Sequence, residues 1–293
     1  MNKRSTGEKV FAVFNTILLL TIALVCILPV WHVLMGSISD PLKVAAYSGL
    51  ILKPLGKVTL GGYKLVFGNN NIVTSYINTI IYVTAATAFG TCLTILAAYV
   101  LSRKNLRYKN PIAFMITFTM IFNGGLIPTY MVVRNLHMLD TRWSLIIPGA
   151  VSAYNIIIMR TSFASIPESL SEAAIIDGAG HFRILTQVII PVSKSIIAVI
   201  VLFYAIQHWN AWFNASIYLR KRSLYPLQLT LREIVLLSSE QSIIASQDGS
   251  DVEIYRPLIK YSTIMVSVIP MMIIYPFIQK YFVKGVMIGS IKG

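Results

Sequence analysis

Long apolar stretches without a charged residue follow one another along the chain, separated by polar segments. Six such stretches occur, and the shortest still covers 17 residues, from Trp143 to Met159. About 20 apolar residues in a helix that rises about 1.5 Å per residue span a bilayer core of roughly 30 Å. The pattern predicts an all-α integral membrane protein with six transmembrane helices, at residues 11–35, 72–101, 111–133, 143–159, 195–219 and 261–279.

The composition agrees with a membrane protein. Of the 293 residues, 56% are hydrophobic and 12% are charged, and the mean hydropathy is +0.70. These values exclude a disordered chain or a disulfide scaffold and argue against a soluble enzyme. The net charge is +14, from 25 Lys and Arg against 11 Asp and Glu. In so apolar a chain, basic residues are typical of loops beside a lipid bilayer, so the bilayer is the expected partner and nucleic acid is not.

The basic residues also indicate an orientation in the membrane. Four of the seven residues from Arg103 to Lys109 are Lys or Arg. Cytoplasmic loops carry an excess of these residues, so the N- and C-termini are predicted to be cytoplasmic. The loop at 160–194 then lies inside and the loop at 220–260 outside. The first apolar run is longer than the core of a cleavable signal peptide, and we expect it to remain as a span.

The sequence lacks the motifs with which a chain drives transport or catalyses a reaction by itself. It contains no Gly-x-x-x-x-Gly-Lys-Ser/Thr phosphate loop, no HExxH or GxSxG motif and no Cys/His metal cluster. The predicted spans carry none of the Asp, Glu, Lys or Arg side chains that ion-coupled carriers usually place at membrane depth. We therefore expect no catalytic residue, no metal and no cofactor bound by this chain, and a partner that supplies energy.

The loop at 160–194 carries the most specific local pattern. Ser165 to Glu168 has the form of a helix capping box, which predicts a short helix from Glu168 to Asp177. Glu168 and Glu172 then lie on one helix face. Gly178 breaks the helix and allows a sharp turn into a second helical stretch. This helix–turn–helix at the membrane face either docks another protein or only caps the bundle.

The same loop carries a recognisable motif. Glu172-Ala-Ala is followed by three residues, Gly178, nine residues and Val188-Ile-Ile-Pro191. This spacing resembles the EAA motif of binding-protein-dependent ABC importer permeases, with Val188 and Ile190 as conservative replacements for Ile and Leu. The resemblance implies a cytoplasmic coupling helix that docks on an ATPase, Glu172 meeting an ATPase arginine and Gly178 forming the bend. The implied coupling residues are Glu168, Glu172, Ala173, Ala174, Asp177, Gly178 and Pro191.

The resemblance extends over almost the whole chain. The length, the six spans and the ending Val283–Gly293 resemble the smaller, maltose-type permease subunit of carbohydrate importers. Asn123–Thr129 and Asn135–Trp143 resemble members that handle oligosaccharides from complex polysaccharides, such as alginate or pectin fragments. The implied fold is the type I ABC importer permease fold, with residues 1–293 as a single transmembrane domain. A C-terminal contact with the ATPase is also implied, at Gly285, Gly289 and Gly293.

The resemblance also implies partners and a location. The chain is expected to form a heterodimer with a second permease subunit in a bacterial cytoplasmic membrane. Two ATP-binding cassette subunits would bind ATP and Mg, and an extracytoplasmic solute-binding protein would deliver the substrate. The outer loop at 220–260 is expected to contact that binding protein, although its residues also suit a solvated loop with a short helix of its own.

Residues 207–214 form a candidate substrate path. Gln207, Asn210 and Asn214 recur at three- and four-residue spacings, which predicts one shared helix face, and Trp209 and Trp212 lie nearby. Amides hydrogen-bond hydroxyl groups and indole faces stack on sugar rings, so these side chains suit a saccharide. The same pattern is also typical of amide contacts between helices and of an interfacial tryptophan belt.

Two functional classes are therefore compared. The first is the permease subunit of an ATP-driven carbohydrate importer, which is not itself an enzyme. The alternative is a membrane-embedded enzyme that acts on lipid or lipid-linked sugar. Such an enzyme is expected to place carboxylates or a metal cluster at the end of a span, whereas the acidic residues clustered near a span here belong to the EAA motif.

Overall fold

The structure is a computed structural model that describes residues 6–68, 70–240 and 251–290. These residues form helices joined by loops, and none of them lies in a β-strand. They divide into two compact units. The first unit consists of Met1–Asn70 and Glu233–Ile269, and the second of Asn71–Arg232 and Pro270–Gly293.

Three helices belong to the first unit: α1 (Thr6–Ser37), α2 (Pro41–Ala46) and α3 (Gly61–Gly68). Asp40 caps α2, because its carboxylate accepts the backbone N–H groups of Leu42 and Lys43. The core of this unit is small and includes Met35, Val44 and Ile51.

The most apolar part of α1 is exposed along its length. In its span-length window no residue is buried, and the mean hydropathy of the window is 2.7. An apolar helix surface of this size is typical of contact with lipid or with another membrane helix.

The second unit contains most of the helices and the candidate site. Its elements in chain order are α4 (Asn70–Ser102), α5 (Lys109–Ile121), α6 (Leu126–Asn135), α7 (Trp143–Ile146), α8 (Ala153–Ala164), α9 (Glu168–Ile176), α10 (His181–Ile184), a π-helical turn (Leu185–Ile189), α11 (Ile190–Val192), α12 (Lys194–Trp209), α13 (Trp212–Tyr218) and a 3₁₀ turn (Arg222–Leu224). Only the first residue of α4 belongs to the first unit. Two further helices contribute residues to both units, α14 (Leu227–Glu240) and α15 (Asp251–Ser290).

The membrane-spanning candidates are fewer than the six predicted. Among the described residues, three helices are long and apolar enough to cross a bilayer, and the number rises to five if each of two bent helix pairs forms one span. One bent pair is α5 with α6, at 112°, and the other is His181–Val192 with α12, at 87°. The predicted span at 261–279 lies within the longer helix α15.

Three predicted spans are wrong as continuous helices. The stretch at 111–133 is interrupted between α5 and α6, which are bent by 112°. The stretch at 143–159 is interrupted between Ile146 and Ala153, where Pro148 has no N–H group to continue the hydrogen-bond ladder. The stretch at 195–219 is interrupted between α12 and α13. At the interruption Asn210 donates from Nδ2 to the carbonyl of Ile206 at 2.9 Å, a side-chain bond of the kind that bends helices.

Helix α4 packs closely against the interruption before α8. A Cβ atom placed on Gly90 would lie 2.3 Å from the carbonyl oxygen of Ala150. The hydroxyl of the buried Tyr204 lies 2.7 Å from Thr94 Oγ1 and accepts the Ser152 N–H at 3.0 Å. The glycine permits the approach, and these hydrogen bonds join α4, α12 and the start of α8 around one core.

Candidate functional site

The segment at 160–194, which we call the coupling segment, folds as a helix–turn–helix. Helix α9 ends at Ile176, one residue before the predicted end, and Asp177 is its C-cap. Gly178 has a φ of +80°, a conformation that side chains with a Cβ rarely adopt. Helix α10 begins three residues later at His181. The sequence therefore predicted the two helices and the turn between them correctly.

The predicted capping box is wrong. Ser165 ends helix α8, and its hydroxyl donates to the carbonyl of Ser162 at 2.7 Å. The N-cap of α9 is Pro167, which has no side-chain hydrogen bond to offer. The carboxylate of Glu168 instead forms an ion pair with Lys104, with 2.5 Å between Oε2 and Nζ.

The end of α4 holds the coupling segment in place. Arg103 donates from Nη1 to Ser171 Oγ at 3.0 Å. The hydrogen bond and the charge of Glu168 raise the pKa of the exposed Lys104. The hydroxyl of Tyr99 lies 3.4 Å from His181 Nδ1. The basic loop at 103–109 and the coupling segment are therefore neighbours.

The part of the coupling segment after α10 leads into the apolar helix α12, which has 16 residues. A π-helical turn is followed by the three residues of α11, which carry Pro191 in the first turn. The bend of 87° falls between Val192 and Lys194. Pro191 lies just before this bend. Proline lacks the N–H group that a straight helix would need at this position, so it favours the bend.

The outward surface of the coupling segment is apolar and acidic. Ile176 is 85% exposed and Phe182 is 74% exposed, and Leu170 and Ile175 are also exposed. Large side chains of this kind are usually covered when they form a group. Glu172 and Asp177 are exposed on the same segment. The coupling segment therefore presents a surface that combines large apolar side chains with carboxylates.

The predicted shared face of Gln207, Asn210 and Asn214 is wrong, because the helix is interrupted at Asn210. All three amides are nevertheless exposed. The two indoles are engaged by protein: Trp209 is buried and lies edge-on to the ring of Tyr76. The guanidinium of Arg232 lies 3.6 Å over the ring of Trp212.

Sequence reasoning missed the residues that fix the start of the predicted outer loop. Asp140 has a φ of +59° and accepts the backbone N–H groups of Arg220 and Lys221, each at 2.9 Å. Both hydrogen bonds lower the pKa of Asp140, and the bond from the Lys221 N–H has the larger effect. Asn78 donates from Nδ2 to the carbonyls of Ser223 and Tyr225. Pairs more than 60 residues apart in the chain leave no local sequence pattern. The available signal was Asp140 itself, the lone aspartate between the predicted spans at 111–133 and 143–159.

Loss of the Asp140 carboxylate is expected to release residues 220–222. In the detergent-solubilised protein, Asp140→Ala should be cleaved by trypsin after Arg220, Lys221 or Arg222 several-fold faster than the wild type. Because the pKa of Asp140 is lowered, its carboxylate is fully charged at any pH above the ordinary pKa of aspartate, about 4. Its contribution to stability is complete in that range. That contribution is lost only as the pH falls through the lowered value, so the digestion near pH 8 tests the intact interaction.

Asp140→Asn is the matched control, because an amide oxygen still accepts N–H groups and asparagine tolerates positive φ. It should remain closer to the wild type. Equal cleavage rates for Asp140→Ala and the wild type would contradict the assigned role.

The fold and the coupling segment define a membrane permease subunit of the importer class, and comparison with known proteins identifies its family. The chain belongs to the family described as "Binding-protein-dependent transport system inner membrane component", whose model matches residues 90–288.

Individual relatives cover nearly the whole chain. The chain is 38% identical to the polygalacturonan/rhamnogalacturonan transport system permease protein YtcP of Bacillus subtilis, over 94% of this chain and 96% of the relative. It is 26% identical to the maltodextrin transport system permease protein MalD of Streptococcus pneumoniae, over 89% of each chain.

A solved structure supports the same fold. It is the crystal structure of a bacterial ABC transporter involved in the import of the acidic polysaccharide alginate. The TM-score is 0.85 at 32% identity, and the match covers 96% of this chain and 100% of that chain. The family resemblance of the sequence is thus confirmed, and the chain is an ABC transporter permease subunit in the membrane rather than an enzyme.

Proposed function

We propose that this chain forms half of the translocation pathway of an ATP-driven importer for an oligosaccharide derived from a polysaccharide. The observation that carries the proposal is the exposed helix–turn–helix with the EAA motif in a chain of this family. The carbohydrate is supported by the named substrates of the relatives, which are polygalacturonan, rhamnogalacturonan, alginate and maltodextrin.

The coupling segment is the docking site for a cytoplasmic ATPase. Its exposed apolar residues, among them Ile176 and Phe182, fit an apolar groove. Glu172 faces a basic group of the ATPase, and a hydrogen bond to a charged group contributes about 1.5–3 kcal/mol. Gly178 and Pro191 set the two bends of the segment. The ATPase subunits bind ATP and Mg, and this chain binds neither.

The proposal includes a membrane topology in which both termini and the coupling segment lie in the cytoplasm. The direct contacts from Arg103 and Lys104 to α9 place the basic loop at 103–109 on the same side as the coupling segment. Lys and Arg are enriched in cytoplasmic loops, so this shared side is the inner one. Six crossings result if the short helix α8 and the segments around it also traverse the bilayer.

The permease pairs with a second permease subunit and receives substrate from an extracytoplasmic binding protein. The region held by Asp140 and Asn78, at residues 220–225, is the part of the predicted outer loop that we assign to such a contact. In the predicted C-terminal contact, Gly285 and Gly289 lie within α15, and Gly293 lies outside the described residues.

The interruption after α12 is the candidate substrate contact. A broken helix exposes backbone polar groups at membrane depth, an arrangement that transporters use at substrate sites. Gln207, Asn210 and Asn214 add exposed amides there. The indoles of Trp209 and Trp212 instead support the structure around them, since protein side chains cover them.

Reconstitution tests the proposal directly. The chain is co-expressed with its second permease, ATPase and binding protein, and the complex is placed in proteoliposomes. Oligogalacturonate, an alginate oligosaccharide and maltodextrin are supplied with the binding protein outside and ATP inside. Saturable uptake of at least one sugar, with stimulated ATP hydrolysis, is expected. A chain that copurifies with no ATPase and supports no uptake would contradict the proposal.

A further inference from the structure

We propose that Arg103 is the positioning residue that joins both helices of the coupling segment to α4, so that the three elements move as one body during transport. This inference rests on the proposed docking of the coupling segment on the ATPase. It concerns how motion passes from that segment into the membrane-spanning part.

Arg103 follows the last residue of α4 and contacts elements on both sides of the turn at Gly178. Its guanidinium donates to Ser171 on α9 at 3.0 Å and lies 4.2 Å over the ring of Tyr99 on α4. Tyr99 in turn lies 3.4 Å from His181, the first residue of α10. One side chain therefore connects α9, α4 and, through Tyr99, α10.

The contacts of Arg103 lie in a covered environment. Ser171 is 4% exposed and Tyr99 is 6% exposed. The Nε atom of Arg103 is buried and has no hydrogen-bond partner among the described residues. A buried unpaired donor is costly, so the guanidinium makes its contacts with Tyr99 and Ser171 despite an incomplete set of hydrogen bonds. A planar guanidinium can pack on an aromatic ring and donate from its edge at once, which the ammonium of lysine cannot do in the same geometry.

The neighbouring ion pair does not provide a comparable connection. The side chain of Lys104 is 76% exposed and that of Glu168 is 44% exposed. Exposed ion pairs of this kind contribute little and are screened by salt. The polar restraint between α4 and α9 therefore depends on Arg103 and its two covered neighbours. It adds to the apolar cluster that α4 shares with the later part of the coupling segment.

The other end of α4 holds the start of the predicted outer loop. Asn78 donates to Ser223 and Tyr225, and the hydroxyl of Tyr82 donates to the carbonyl of Leu224 at 2.8 Å. The 33 residues of α4 extend roughly 50 Å at about 1.5 Å per residue. Displacement of α9 by the ATPase is thus carried along α4 to residues 223–225 at its far end.

The test compares Arg103→Ala, Arg103→Lys and Arg107→Ala in the complete complex in proteoliposomes. Arg107 is a matched control, because it lies in the same loop and its guanidinium lies over Tyr108, outside the coupling segment. Copurification of the ATPase, ATP hydrolysis and sugar uptake are measured for each variant. The informative quantity is the uptake per ATP hydrolysed, which a uniform loss of folded complex leaves unchanged.

We expect Arg103→Ala to retain the ATPase and to hydrolyse ATP while its uptake per ATP falls about tenfold or more. Arg103→Lys should also be uncoupled, though less, and Arg107→Ala should equal the wild type. An unchanged ratio in an assembled Arg103→Ala complex would overturn the inference. If Arg103→Ala fails to assemble, Ser171→Ala provides the test, because it removes only the contact of Arg103 with α9. An unchanged uptake per ATP hydrolysed in Ser171→Ala would also overturn the inference. Failure of the wild type to transport any of the sugars would instead overturn the proposed function.

Discussion

Glu172→Lys is expected to abolish sugar uptake by the complete transporter and to release the ATPase from the membrane complex. Glu172 is exposed on α9, on a segment that also presents Ile176 and Phe182 to the outside. If a basic ATPase group covers the carboxylate, reversal of the charge replaces an attraction with a repulsion inside a desolvated interface.

The expected effect is large because the substitution both removes a hydrogen bond and leaves a charge of the ATPase unpaired in the interface. The hydrogen bond lost is of the charge-assisted kind, about 1.5–3 kcal/mol, and a buried charge left without its partner costs about 3–5 kcal/mol. Each 1.4 kcal/mol is about a tenfold change in an equilibrium constant. The second figure already includes the lost attraction, so affinity for the ATPase is expected to fall by at least about two orders of magnitude.

The measurement is a pull-down of the tagged chain from detergent-solubilised membranes, followed by an ATPase assay. Glu172→Gln keeps the size and hydrogen-bonding ability of the side chain without its charge, so it should retain part of the ATPase. Reversal of the partner charge on the ATPase should restore binding to Glu172→Lys. Normal uptake by Glu172→Lys would remove Glu172 from the docking site.

Gly90→Ala is expected to destabilise the second unit. The new Cβ would lie 2.3 Å from the carbonyl oxygen of Ala150 and 3.3 Å from the ring of Tyr204. The oxygen belongs to the backbone and cannot rotate away, so α4 must shift from the interruption before α8. Overpacking of a core typically costs about 1–3 kcal/mol, which corresponds to a fall in Tm of roughly 2–10 °C in a chain of this size.

The control is Gly7→Ala in α1, because a Cβ on Gly7 would have no atom within 4 Å. Alanine favours a helix more than glycine does, so this variant should melt at the wild-type temperature or slightly above. Thermal unfolding of both purified variants in the same detergent checks the pair. Equal melting temperatures for Gly90→Ala and Gly7→Ala would show that α4 can move without cost.

The helical, membrane-embedded class was accessible from the sequence because it depends on composition over long windows. The apolar runs correspond to helices in the structure, and α1, α4 and α15 contain three of the predicted spans. The interruptions were not accessible from the charge pattern. Proline and asparagine are tolerated within many membrane helices, so Pro148 and Asn210 are ambiguous until their neighbours are known.

The coupling segment was predicted well because its information is local. A helix with small residues, a glycine at positive φ and a proline before the next span are each determined within a few positions. The capping box failed because the same Ser165 also serves as the end of α8, and two local signals competed for one residue. The amide face failed because a fixed helical period was assumed across Asn210.

The sequence by itself determined the class of the protein and the coupling segment with its turn at Gly178, because these depend on composition and on short-range backbone preferences. It also indicated the family, through the resemblance of its EAA motif. Only the tertiary structure decided which residues hold these elements together. Arg103 with Ser171, Asp140 with Arg220, and Gly90 with Ala150 are each brought together from distant parts of the chain. Such pairs depend on how helices pack, and helix packing is set by the whole set of contacting surfaces rather than by any one segment.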